Sequence, residues 1–128
     1  MTNELTILAL YGIVVCLTLI VQATGALSQL GMGYLLSARD EQHSLEGMSA
    51  RLDRALANSI TAMALFAPAI LLLQFKDAFT GTTLLAAQGF LVVRILYVPL
   101  YAFGVTGLRT AAWMIGFLAT VALYAMAL

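Results

Sequence analysis

Arg51, Arg54, Asn58 and Thr61 follow one another at intervals of three, four and three, which places them on one face of a helix. Arg94, Tyr97 and Tyr101 repeat the pattern at intervals of three and four. A guanidinium offers a planar fork of donors that matches a carboxylate, an asparagine amide donates and accepts, and a tyrosine hydroxyl does both. Together these side chains describe a polar pocket with excess positive charge, suited to an anionic ligand. The alternative is a hydrogen-bonded seam that holds helices together, since interhelical polar contacts also stabilise membrane bundles. Arg94 weighs towards a site or a buried ion pair. It lies well inside an apolar run, where inserting a charge costs about 2.5–3.5 kcal/mol.

The elements that carry these residues are membrane spans. Of 128 residues, 62% are hydrophobic and 9% are charged. A soluble domain of this size keeps too much surface exposed to hide so many apolar residues. Six basic residues balance six acidic ones, so no basic surface exists for nucleic acid. Four apolar segments run over about 5–36, 54–75, 80–103 and 108–128, and each meets the roughly 20 residues that a helix needs to cross a bilayer. The first is longer than a span requires, so its last turns are expected to tilt or project. The N-terminus lacks Lys and Arg and the run after it is too long for a signal peptide, so the first segment is read as a retained span.

A polar connection over 37–53 contrasts with two short ones, at 76–79 and 104–107. Short connections make neighbouring helices antiparallel. The expected architecture is therefore an all-α integral membrane protein, one up-down four-helix bundle over 1–128. Arg39, Arg51, Arg54 and Arg109 border the first and third connections, and Lys76 borders the second. By the positive-inside bias, the first and third loops are expected to be cytoplasmic, with both termini opposite.

The remaining features carry less chemistry. Cys16 sits alone in an apolar run and reads as a packing residue. His43 has no second His or Cys at ligand spacing, so no metal site is expected. Asp40 and Glu41 read as loop surface, and Trp113 and Tyr124 as interfacial or lipid-facing aromatics. Pro68 and Pro99 free the carbonyls of Ala64 and Ile95 and are expected to kink their helices.

The run Arg51-Leu52-Asp53-Arg54-Ala55-Leu56-Ala57-Asn58 resembles the Arg-Ala-x-x-Asn signature that opens helix two in MAPEG proteins, the membrane-associated proteins of eicosanoid and glutathione metabolism. Arg94-Ile95-Leu96-Tyr97-Val98-Pro99-Leu100-Tyr101 is similar to their helix-three pattern. Gly107-Leu108-Arg109-Thr110-Ala111-Ala112-Trp113 resembles the opening of their helix four, and Ser37-Ala38-Arg39 a basic site ending helix one. The resemblance covers nearly the whole chain. It implies a homotrimer with sites between adjacent subunits, opening to the cytoplasm, where glutathione binds folded with its carboxylates held by arginines. Carried over by position, Arg54, Asn58, Arg94, Tyr97 and Tyr101 line the tripeptide site. Arg109 stabilises the thiolate, and Arg39 contributes from a neighbouring subunit. Two departures stand out. Thr61 occupies a position where the family enzymes usually carry Glu, and the step from Tyr101 to Arg109 is one residue shorter than in some members.

The activity so implied is glutathione transfer or peroxidase chemistry on a lipophilic small molecule arriving from membrane lipid. The alternative is a non-enzymatic membrane protein that binds a lipid or an anionic metabolite, or acts through protein contacts. A small four-helix multidrug transporter would need a carboxylate deep in the first helix. The acid nearest to it, Glu4, stands at its edge.

Overall fold

The computed structural model describes residues 3–37 and 45–128. Five helices follow in order: α1 (Glu4–Leu30), α2 (Met32–Leu36), α3 (Gly47–Phe75), α4 (Gly81–Ala102) and α5 (Thr106–Ala127). Four of them, α1, α3, α4 and α5, are long and apolar enough to cross a membrane. The protein is thus an all-helical, multi-pass membrane bundle.

Two boundaries differ from those expected of the sequence. The first apolar segment is not one helix to residue 36. Gly31 adopts a φ of 83°, and its N–H closes the last turn of α1 on the Leu27 carbonyl. A positive φ of this kind is cheap only for glycine, so the chain stops there and resumes as the single turn of α2. The second segment starts earlier than residue 54. Its helix begins at Gly47 and runs for 29 residues, about 43 Å, well beyond a 30 Å bilayer core. Hydropathy marks where a helix enters lipid, and charged residues such as Arg51, Asp53 and Arg54 can form helix outside it. Much of the expected polar loop is therefore the projecting start of α3.

Polar contacts fix that projecting end. The Gln29 amide clasps the Glu46 backbone, donating Nε2 to its carbonyl at 2.9 Å and accepting from its N–H at 3.0 Å. Gln22 Nε2 donates to Asp53 Oδ1 at 3.2 Å. Arg51 Nε donates to the Ala102 carbonyl at 2.8 Å, tying the start of α3 to the end of α4. Between the Gln29 and Gln22 contacts α1 and α3 approach closely. A Cβ at Gly25 would stand 2.6 Å from Ser49 Oγ.

At the other end of the bundle, Thr80 caps α4 in a reciprocal box with Thr83. The Thr83 hydroxyl also donates to buried Glu4 at 3.0 Å. Lys76, after α3, donates to the Ala127 carbonyl. These two sets of end contacts pair the start of α1 with the start of α4, and the ends of α3 and α5, as an up-down arrangement requires. Pro68 and Pro99 both lie inside helices that continue past them. Near Pro68 the Tyr124 hydroxyl donates to the Leu65 carbonyl at 2.6 Å.

The apolar core fills the half of the bundle nearest the termini. Phe66 and Phe90 stack with centroids 3.9 Å apart, and the Tyr11 ring meets Phe90 edge-on at 4.9 Å. Ile7, Ala69, Ile70, Leu73, Ala87 and Leu123 pack round them with no exposed surface. Outside, Ile13, Leu17, Ile20, Leu118 and Val121 are among many large apolar side chains left exposed, which is the surface lipid requires. Phe66→Ala is expected to lower stability by about 3–5 kcal/mol through the cavity it leaves. Leu118→Ala on the lipid face should change it by less than about 0.5 kcal/mol. Thermal unfolding of both variants in one detergent checks the contrast.

Candidate functional site

Above the aromatic core the packing turns polar, and Tyr11 marks the change. Its ring belongs to the core while its hydroxyl donates to the Ser59 carbonyl at 2.8 Å, fully buried. Ser59 Oγ in turn accepts from Arg94 Nη2 at 3.2 Å. Arg94 retains only 2% of its surface and is the bulkiest of the buried side chains. Its guanidinium lies 4.2 Å from the Tyr97 ring centroid, a cation–π contact one turn along the same helix. On the far side Gly116 of α5 packs against the arginine stem, and a Cβ there would meet Arg94 Cδ in ordinary contact at 3.5 Å.

Tyr97, on the same face as Arg94, leads into an open cleft of about 300 Å³ lined by Arg54, Asn58, Tyr97, Tyr101, Arg109, Thr110 and Trp113. Tyr101 is its hub. Arg54 Nε donates to the Tyr101 hydroxyl at 3.2 Å, and the Arg109 guanidinium sits 4.4 Å over the ring. Two arginines thus share one tyrosine, and among the described residues no acidic side chain lines the cleft. Arg109 and Thr110 stand near the start of α5, whose helix dipole adds positive potential there. The site gathers its side chains from α3, α4 and α5, at the end where α3 projects.

A second, more enclosed cavity of about 170 Å³ lies beside the cleft. Its walls are mostly apolar (Ala62, Leu65, Phe90, Phe117), with Arg94, Asn58, Thr61 and Thr120 as the polar part. Asn58 and Trp113 line both spaces. Two buried polar atoms here have no hydrogen-bond partner among the described residues, Asn58 Oδ1 and Arg94 Nε.

The structure therefore brings Arg54, Asn58, Tyr97, Tyr101 and Arg109 into one cleft and sets Arg94 apart, behind Tyr97 and facing the inner cavity. Arg39 lies outside the described residues, as do Asp40, Glu41 and His43. Among the described residues no group of three His, Cys, Asp or Glu side chains could hold a metal ion. Thr61 spends its hydroxyl on the Ala57 carbonyl of its own helix at 3.1 Å. The interhelical seam does exist, but Tyr11, Ser59 and Arg94 build it, whereas the Asn58 oxygen is unpaired. Tyr11, Ser59 and Thr110 were not expected at the site, and Trp113, expected to be interfacial or lipid-facing, is exposed and also lines the cleft. Trp113 stands four residues after Arg109, on the same helical face, and that spacing is the signal that could have placed it at the cleft.

A sequence model of the MAPEG family matches residues 4–128. No curated protein and no solved structure matches the chain.

Removing the Ser59 hydroxyl strips the buried guanidinium of its hydrogen-bonded partner. Ser59→Ala is expected to cost about 1–3 kcal/mol, the range for orphaning a buried donor. Ser49→Ala, at a half-buried position on the same helix, should cost less than about 1 kcal/mol. Denaturation midpoints of the two variants in detergent give the comparison.

Proposed function

The chain belongs to the MAPEG family, and from that premise we propose that it binds glutathione in the Arg54–Arg109 cleft and delivers the thiolate to a lipophilic electrophile arriving from the bilayer. The observation that carries this reading is the pair of arginines on Tyr101, in a cleft lined by no described carboxylate. The tripeptide brings two carboxylates, an ammonium and two peptide N–H groups, and the residues present suit each. Arg54 offers a fork of donors to a carboxylate. The unpaired Asn58 oxygen offers an acceptor to an N–H or the ammonium. Arg109 supplies the cation beside which a thiol loses its proton more readily and becomes the nucleophile. Tyr97 and Tyr101 add hydroxyls that orient the bound peptide. The thiolate sulfur then forms a bond to the electrophilic carbon of its substrate, and the leaving group or opened ring carries the electron pair away.

We place this site in a homotrimer, closed by a neighbouring subunit. The cleft is at the small end of the range for small-molecule sites, is open on one side, and takes no lining residue from α1. A wall from a second subunit, with its Arg39, would complete it. The cleft end is assigned to the cytoplasmic side, where Arg51, Arg54 and Arg109 cluster. A second reading, non-enzymatic binding of an anionic metabolite or lipid, draws on Thr61. Its hydroxyl turns back to its own helix and supplies no carboxylate for an ammonium.

Calorimetry with purified protein separates these readings. Glutathione is expected to bind saturably in the millimolar range or tighter, and Arg54→Ala should weaken it about tenfold or more, as the loss of a charge-assisted hydrogen bond predicts. Arg109→Ala should retain most of the affinity but lose turnover of a chlorinated aromatic electrophile by at least about a hundredfold, the scale for a group acting on the reacting atom. Absence of saturable binding in the parent protein would overturn the transferase reading. Mass determination in mild detergent should give three chains.

A further inference from the structure

The connection between α4 and α5 is three residues long, Phe103 to Val105. A helix ends on four carbonyls that have no partner within it, and the connection itself meets three of those at the end of α4. Phe103 N–H donates to the Pro99 carbonyl at 3.0 Å, Gly104 N–H to that of Tyr101 at 3.0 Å, and Val105 N–H to that of Leu100 at 2.9 Å. Gly104 takes a φ of 75°, the left-handed conformation that this turn requires and glycine adopts freely. The fourth carbonyl, of Ala102, accepts from Arg51 Nε of α3 at 2.8 Å.

α4 carries no basic residue in its own last turn, so the cation that suits the negative end of its dipole comes from α3. Arg51 also lies against the turn, since a Cβ at Gly104 would stand 3.9 Å from its Nε. One turn further along α3, Arg54 donates to the Tyr101 hydroxyl at 3.2 Å. The two arginines thus hold neighbouring residues of α4, Arg51 by the backbone and Arg54 by the side chain. α5 resumes at Thr106 with no side-chain cap at Val105. Arg109 follows three residues later, its guanidinium 4.4 Å over the Tyr101 ring. A connection this short has no slack, so the direction in which α5 leaves, and with it the place of Arg109, follows from how α4 ends.

We propose that Arg51 is a positioning residue for Arg109: by engaging the Ala102 carbonyl it fixes the α4–α5 turn, and so holds the Arg109 guanidinium over Tyr101, at the place from which it stabilises a thiolate. The chemical consequence rests on the reading of the cleft as a glutathione site; the placement of Arg109 does not. Arg51 itself does not line the cleft. The charged and titratable groups that share the cleft with Arg109 are Arg54 from α3 and Tyr97 and Tyr101 from α4, with no described carboxylate and nothing from α1. Arg54 is carried by α3, so of the two cations only Arg109 depends on the turn.

Arg51→Met keeps the stem and removes the donor. In nanodisc-embedded protein with isotope-labelled arginine and no glutathione, the Tyr101 ring current is expected to hold the Arg109 side-chain N–H resonance upfield, and Arg109→Lys identifies that resonance by its loss. It should move towards the ordinary arginine position in Arg51→Met and return in Arg51→Lys, which again offers the carbonyl a cationic donor. Gly104→Ala, which distorts the same turn and leaves Arg51 in place, should displace it too, and keeps the test decisive if Arg51→Met fails to fold. With glutathione and a chlorinated aromatic electrophile, Arg51→Met should lower kcat at neutral pH about tenfold, the scale of one charge-assisted hydrogen bond. KM for glutathione should stay within about threefold, because Arg54 is untouched. The loss should recede as pH rises, since a thiol whose cation is displaced needs a higher pH to ionise. A merely structural role would lower the melting temperature and move neither the resonance nor the pH profile. An Arg109 resonance at its parent position in Arg51→Met or in Gly104→Ala, or a kcat loss that does not change with pH, would overturn the proposal. Failure of the parent protein to bind glutathione would sink the transferase reading and leave the resonance to decide this one.

Discussion

A guanidinium enclosed among membrane helices sets the terms for the rest of this bundle. Arg94 stands about eight residues, roughly 12 Å, before the end of α4, too deep to reach water by stretching along the helix. Lipid is closed to it, so the charge must be met from within. Three helices meet it in three ways. α3 brings the Ser59 hydroxyl, α4 brings the Tyr97 ring, and α5 brings Gly116, which packs beside the stem. An apolar residue at 59 would remove the hydroxyl that accepts from the guanidinium. The register of α3, α4 and α5 at this level is thereby fixed by one residue.

That constraint divides the bundle. Towards the termini lies an aromatic and aliphatic core with few polar groups, rigid because Phe66, Phe90 and Tyr11 lock three helices together. Towards the projecting end of α3 the interior opens into the cleft and the cavity. Tyr11 belongs to both halves, ring below and hydroxyl above. It carries the position of α1 to Ser59, and so to Arg94 and Tyr97, although α1 contributes nothing to the lining of either space. The cleft rests on this packed base and is open to the outside.

Much of this is legible in the amino-acid sequence. Hydropathy locates four spans because lipid demands unbroken apolar runs, and the intervals linking Arg54 to Asn58 and Arg94 to Tyr101 reveal faces because a helix turns every 3.6 residues. Hydropathy does not find the start of α3, since helix and membrane part company near Gly47. Nor does it see Gly31 stop α1, because a glycine inside an apolar run is common in membrane helices. Spacing places Arg94 beside Tyr97 but does not tell that the tyrosine ring stands between the arginine and the cleft. That depends on which side each long side chain leans, a matter of packing against Ser59 and Gly116. Ser59 itself sits one position from Asn58, and nothing in the sequence distinguishes the serine that is satisfied from the asparagine that is not.

Thr61 gains a different meaning in this setting. Set beside the family pattern, a threonine where the enzymes usually hold a glutamate reads as a lost ligand for the glutathione ammonium. Within the bundle, position 61 borders the cavity that contains Arg94, not the cleft around Tyr101. A carboxylate there would have been the natural internal partner for a buried cation. Threonine turns its hydroxyl to Ala57 and leaves that role empty. Threonine therefore leaves the cavity beside the buried guanidinium with no carboxylate among its described lining residues. Asn58, unpaired at its oxygen, lines both spaces and forms part of the wall between them.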